Sequence, residues 1–174
     1  MTDLLNIKAF AFDVDGVLTD GGVFCNLEGQ LFRTFDAKDG FALRMAAMQG
    51  YPMAIVTGGR SKSIRARVIT SGLKPEDVYL GSRDKMADLR KFCKRYDLSL
   101  DEVMFFGDDL PDAEALRACG CGVCPSDATP DAKEAADIVS EYPGGKGCVR
   151  FEMERVMRLQ GKWNFDVPTY KELF

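Results

Sequence analysis

Four places in the chain carry residues that could do chemistry together. Asp13 and Asp15 stand one residue apart after the apolar run 7–12, and Gly16 follows them. Thr57 and Gly58 follow a second apolar run, 53–56, and Lys85 opens a segment of helical periodicity. Gly107, Asp108 and Asp109 follow the run 103–106, with Asp112 one turn further on. Several carboxylates in one cleft repel one another, so ionising all of them calls for a cation. The chain contains no histidine, and a set of oxygen ligands favours a hard ion, Mg²⁺ above all. Such an ion recruits phosphate oxygens. Thr57 can donate a hydrogen bond to a phosphate, and Lys85 adds a fixed positive charge. One carboxylate can act as a nucleophile and form an aspartyl-phosphate, while a second just beyond it gives up a proton and takes one back. Aspartate and glycine are also turn formers, and Thr57 alone could cap a helix. The functional reading rests on position, because each group follows a strand-like run.

The elements that must position these groups are legible in outline. Apolar runs at 7–12, 53–56, 78–80, 103–106, 122–124 and 138–139 read as strands. The segments 37–48, 61–71, 84–96, 111–119, 130–136 and 149–159 read as helices. Strands alternating with helices predict βαβ units, a parallel sheet and helices on both faces. In such sheets ligands bind beyond the carboxyl ends of the strands, where all four groups would meet. One element breaks the alternation: residues 18–35 read as a hairpin, with strands at 23–26 and 30–35 around a turn at 27–29.

The 174 residues, 46% of them hydrophobic, suit one domain with a single core. The net charge of −4 argues against nucleic acid as a partner, although Arg60, Lys62, Arg65 and Arg67 form a local basic patch. The absence of histidine removes Ser–His–Asp and Cys–His catalysis. No secretory leader and no membrane-length apolar run is evident, so the expectation is a cytoplasmic protein with no membrane contact. Cys119, Cys121 and Cys124 lack the second pair of a zinc ribbon and read as small, half-buried thiols on a strand edge.

The segments Asp13-Val14-Asp15-Gly16-Val17-Leu18-Thr19-Asp20-Gly21, Val56-Thr57-Gly58, Lys85 and Gly107-Asp108-Asp109-Leu110-Pro111-Asp112 resemble, in order and spacing, the four motifs of the haloacid dehalogenase-like phosphatases. The resemblance covers nearly the whole chain. It implies a Rossmann-like α/β fold over residues 1–174, with a hairpin insertion after the first strand and no large cap domain. By the same resemblance Asp13 is the nucleophile and a Mg²⁺ ligand. Asp15 is the acid and base, its backbone carbonyl also on the metal, and Asp108 is the third protein ligand. Thr57, Gly58 and Lys85 hold the phosphate, and Asp109 and Asp112 support the metal shell. The hairpin together with Gly144-Gly145-Lys146-Gly147-Cys148-Val149-Arg150 is similar to the 3-deoxy-D-manno-octulosonate 8-phosphate phosphatase branch. That branch implies a phosphorylated sugar acid from lipopolysaccharide precursor synthesis as substrate. It also implies a homotetramer in which the hairpin and the tail, about 161–174, help to close a neighbour's site. Arg60, Arg67 and Arg150 are candidates for the substrate carboxylate. Asp20 is a candidate for the rim.

Three departures from the branch pattern (Gly59 before Arg60, Asp84 before Lys85, and Cys148) keep a nine-carbon substrate open, either 2-keto-3-deoxynononate 9-phosphate or an acylneuraminate 9-phosphate. A phosphoacceptor signalling domain is the rival from another class. It would share an aspartate, Mg²⁺, a threonine and a lysine on a parallel sheet. There, however, the acidic pair comes first and the acceptor later, the reverse of the order here. Asp15 beside Asp13 would also hydrolyse an acyl-phosphate quickly.

Overall fold

The apolar runs of the chain become strands because both faces of the sheet they form are covered. In the computed structural model, which describes residues 3–166, 168, 170 and 171, the elements follow one another as the alternation predicts. They are β1 (Ala9–Phe12), β2 (Phe24–Cys25), β3 (Leu31–Phe32), α1 (Ala37–Met48), β4 (Met53–Thr57), α2 (Lys62–Thr70) and β5 (Val78–Leu80). Then come α3 (Lys85–Tyr96), β6 (Val103–Phe106), α4 (Ala113–Ala118), β7 (Cys121–Cys124), α5 (Pro130–Ala135), β8 (Ile138–Val139) and α6 (Cys148–Leu159). Six strands form one sheet in the order β5-β4-β1-β6-β7-β8, and every pairing in it is parallel.

Successive side chains of a strand point to opposite faces, and the two cores divide accordingly. Phe10, Phe12, Ile55, Met104 and Phe106 face α1, α2 and α6, meeting Leu43, Met45, Ile64, Val149 and Met153. Ala9, Ala11, Val56, Val103 and Phe105 face α3, α4 and α5, meeting Leu89, Phe92, Leu116 and Ala132. Burial on both faces explains why these strands read as unbroken apolar runs. Each fully buried phenylalanine contributes roughly 2–3 kcal/mol.

Helix starts follow capping chemistry. Asp36 accepts from the backbone N–H groups of Lys38 and Asp39, Ser61 caps α2, Asp84 caps α3 and Thr129 caps α5. For α6 the preceding residue is Gly147, and the N-terminal N–H groups of Gly147 and Arg150 instead donate to the buried carboxylate of Asp39, on α1.

Four expectations need correction. The helix expected at 111–119 is a 3-10 turn, Leu110–Asp112, followed by α4, because the Asp112 side chain turns back to accept the N–H groups of Asp108 and Asp109. The hairpin strands are two residues each, since Phe24, Leu31 and Phe32 are exposed and little packing extends the pairing. Cys121 and Cys124 lie on an interior strand and are fully buried, so they are core residues and not edge thiols. Burial pushes Cys121 up to about 12 and Cys124 up to about 11, the range of inert thiols. The beginning of the tail folds onto its own subunit: Trp163 is buried in the core and edge-on to Phe165, and the Arg150 guanidinium stacks 4.5 Å from its ring. Residues 167, 169 and 172–174 of the expected tail lie outside the described residues. Among the described residues no helix is long and apolar enough to cross a membrane.

Candidate active site

β1 lies in the middle of the sheet with β4 on one side and β6 on the other, and Phe12 pairs with both Ile55 and Phe106. The residues just past these strand ends therefore sit side by side, and the Asp13 N–H donates to the Phe106 carbonyl at 2.9 Å. Here a cleft of 590 Å³ opens at the carboxyl edge. Asp13, Asp15, Thr57, Gly58, Lys85, Asp108, Asp109 and Asp112 all line it, joined by Gly59, Ser82, Arg83 and Pro111.

The loop after β1 is built to hold the two aspartates. The Val14 carbonyl accepts from the N–H groups of Val17, Leu18 and Thr19, and the buried Thr19 hydroxyl oxygen accepts from Gly16 and Gly21. Gly16 has φ +87°, and a Cβ there would stand 2.0 Å from Asp108 Oδ2. Only glycine lets the chain turn at this point and admits the Asp108 carboxylate over it. The Gly144-Gly145 turn braces this loop from behind. A Cβ on Gly144 would collide with the Gly16 carbonyl, and the Gly145 N–H donates to the Val17 carbonyl. That loop is thus structural support.

Lys85, nearly buried at the start of α3, bridges Asp13 Oδ2 at 2.9 Å and Asp112 Oδ1 at 2.5 Å. Burial alone would lower its pKa, but Asp13 and Asp112 outweigh that and leave it raised. Asp108 makes no such ion pair among the described residues, and Lys85 lowers its pKa less than the other influences raise it. Burial first, then the charges of Asp13, Asp112 and Asp109, push it up to about 7. Burial and Asp13 also raise Asp112, against the pull of Lys85. Carboxylate oxygens of Asp13, Asp108 and Asp112 lie within 4.8 Å of one another. Three close carboxylates with one lysine between them suit a hard divalent cation with oxygen ligands.

Each site residue expected from the sequence has a definite place. Thr57 is buried, and its Oγ1 accepts the Gly59 N–H at 3.2 Å, which shapes the turn after β4. The third member of the acid cluster is Asp112; the Asp15 side chain is held elsewhere, by Arg33. Asp109 is exposed and caps the 3-10 turn through the Leu110 N–H. Arg60 is exposed and lies along Gly81, outside the cleft lining. Arg67 packs against Gly40 and Ser71, between α1 and α2. Arg150 is taken up by Glu154 and by the faces of Phe41 and Trp163. Asp20 is exposed beside the hairpin, 3.8 Å from Lys146.

Sequence reasoning missed Ser82, Arg83 and Arg33. Ser82 and Arg83 come just after β5, so the strand-end rule could have found them. Arg33 gave no such signal. It lies past the end of the hairpin strand β3, and its Nε and Nη2 meet Asp15 Oδ1 and Oδ2 at 2.5 and 2.9 Å.

Arranged this way, a carboxylate flanked by a lysine, a cation-suited acid cluster and a glycine turn rich in N–H donors can bind a phosphate and attack it. Residues 59–151 match the family model of the haloacid dehalogenase-like hydrolases. Over 162 residues the chain is 32% identical to a 3-deoxy-D-manno-octulosonate 8-phosphate phosphatase of Salmonella typhi, covering 93% of this chain and 85% of that one. It is 31% identical to the phosphatase of the same name from Escherichia coli K12, over 90% of this chain and 82% of that one. Among solved structures it is similar to the Moraxella catarrhalis 3-deoxy-D-manno-octulosonate 8-phosphate phosphatase in complex with magnesium, phosphate and KDO. The TM-score is 0.89 and the identity 30%, covering 96% of this chain and 95% of that one. It is also similar to the cobalt-bound phosphatase of Haemophilus influenzae, with a TM-score of 0.86, 32% identity and 91% of each chain covered.

Proposed function

The chain belongs to the haloacid dehalogenase-like hydrolases, in the branch of the 3-deoxy-D-manno-octulosonate 8-phosphate phosphatases, and from this we propose that it hydrolyses 3-deoxy-D-manno-octulosonate 8-phosphate to the free sugar acid and phosphate. One observation carries the reading at the level of chemistry: Asp13, Asp15, Thr57, Lys85 and Asp108, from four separate strand ends, line one cleft.

In the proposed mechanism an Asp13 carboxylate oxygen attacks phosphorus in line. The bond from phosphorus to the sugar oxygen breaks, its electron pair stays on that oxygen, and the oxygen takes a proton from Asp15. Asp15, now a carboxylate, takes a proton from a water whose oxygen attacks the aspartyl-phosphate. The bond from phosphorus to Asp13 breaks, and the carboxylate is restored. Lys85 holds Asp13 in place and faces the phosphoryl charge, while Thr57 and Gly58 bind phosphate oxygens. Mg²⁺ is the cofactor in this reading. Held by Asp13, Asp108 and the Asp15 carbonyl, with Asp109 and Asp112 in support, it would supply Lewis-acid stabilisation of the phosphoryl oxygens.

A phosphate-release screen over eight- and nine-carbon ulosonate phosphates with Mg²⁺ tests the substrate. Preference for the eight-carbon acid is expected. Preference for a nine-carbon acid selects the alternative, and preference for simple hexose phosphates rejects both. Asp13→Asn should abolish turnover while circular dichroism shows the fold retained; near-normal activity would remove Asp13 as the nucleophile.

We also infer a homotetramer. The exposed apolar side chains Phe24, Leu27 and Phe32 of the hairpin support it, as a monomer rarely leaves such a patch uncovered. The cytoplasmic placement is supported by six free cysteines.

A further inference from the structure

Within that reading, we propose that Arg33 is a positioning residue for Asp15, carried into the site by the hairpin. Its side chain is only 4% exposed, although Phe32 before it and Thr34 after it are exposed. The hairpin thus turns one cation inward while most of its other side chains face out. Both carboxylate oxygens of Asp15 are engaged by a two-point fork, at 2.5 and 2.9 Å. A fork of this kind sets direction as well as distance.

Three observations favour a functional role over simple anchoring of the hairpin. Lys85 is committed to Asp13 and Asp112, so Arg33 is the cation that orients Asp15. Its Nη1 is buried and unpartnered, alone in this among the described residues. A guanidinium placed only for stability would be expected to satisfy all its donors. The side chain also reaches the phosphate-side turn, since a Cβ on Gly59 would stand 3.7 Å from Nη2.

The fork uses one lone pair on each Asp15 oxygen. An ionised carboxylate offers about four such sites, so two remain to carry the proton to the leaving oxygen and to take one from water. Arg33 therefore fixes which way those remaining sites point. It exchanges no proton itself.

The test compares leaving groups. Departure of a sugar alkoxide needs the proton from Asp15, whereas p-nitrophenolate leaves without one. In kcat/KM, which reads steps up to departure of the first product, Arg33→Met should lose about 10- to 100-fold on the sugar acid phosphate. On p-nitrophenyl phosphate it should lose less than about threefold. Asp15→Asn should show the same split, larger. Arg33→Lys, which keeps the charge and loses the fork, should be intermediate, and it decides by the same ratio if the Met variant does not fold.

Equal losses on both substrates, or no loss on either, would overturn the role of Arg33. Failure of the wild-type protein to release phosphate, or of Asp15→Asn to show the split, would instead reject the catalytic reading beneath it.

Discussion

At the scale of single residues, the site is a crowd of carboxylates that the chain only partly neutralises. Lys85 answers Asp13 and Asp112, Arg33 answers Asp15, and Asp108 is pushed up to about 7 by burial and then by its carboxylate neighbours, which outweigh the pull of Lys85. The native pKa of Asp108 is raised, so below about pH 7 a bound metal ion must displace a proton. Mg²⁺ affinity should then weaken by up to tenfold per pH unit below that point. Calorimetric titration with Mg²⁺ at pH 5.5, 6.5 and 7.5 checks this, and an affinity flat across the series would contradict a raised Asp108 acting as a ligand. Gly16 is the steric counterpart. Gly16→Ala puts a methyl group where Asp108 Oδ2 lies and forces a side chain to φ +87°. The backbone conformation alone costs about 1–2 kcal/mol. Urea denaturation should show at least that loss, and phosphate release should fall with it; a fully active, equally stable variant would contradict the close approach.

At the scale of elements, α6 is anchored by a residue far away in sequence. Asp39 on α1 is buried and accepts N–H groups from Gly147 and Arg150. Burial pushes its pKa up to about 6, against those two hydrogen bonds. Because the folded value exceeds the unfolded one, the native state holds a proton that the unfolded chain releases. Stability should therefore fall as pH rises from about 4 to about 6, by on the order of 2–3 kcal/mol at most. Asp39→Asn keeps an acceptor at the helix start and removes the charge, so this fall should flatten. Denaturant midpoints at pH 4, 5, 6 and 7 read it directly, and unchanged slopes in the variant would place the pH dependence elsewhere. The hairpin is the element of opposite character. Its two-residue strands bury little, and its firm tie to the site is Arg33.

At the scale of the whole molecule, strand order decides what meets. With β1 between β4 and β6, the ends of three apolar runs become neighbours and their polar residues share a cleft. The proposed tetramer belongs to this scale too. Leu27→Asp with Phe24→Ser should shift native mass spectra toward smaller species while leaving the far-ultraviolet dichroism of the subunit unchanged. A tetramer that survives these substitutions would need another interface.

What the sequence determined by itself is local. Apolar runs that end in Asp13, Thr57 and Asp108, and helices opened by Asp36, Ser61 and Asp84, follow from burial and capping within a few residues. The alternation of strands and helices then leaves few topologies open. Only the tertiary structure decided that Lys85 pairs with Asp112 as well as Asp13, and that the Gly144-Gly145 turn braces Gly16. It likewise placed Arg67 and Arg150 away from the cleft and Arg33 against Asp15. These contacts join residues distant along the chain, and their geometry depends on how helices and a hairpin pack against the sheet. No spacing within one segment encodes that.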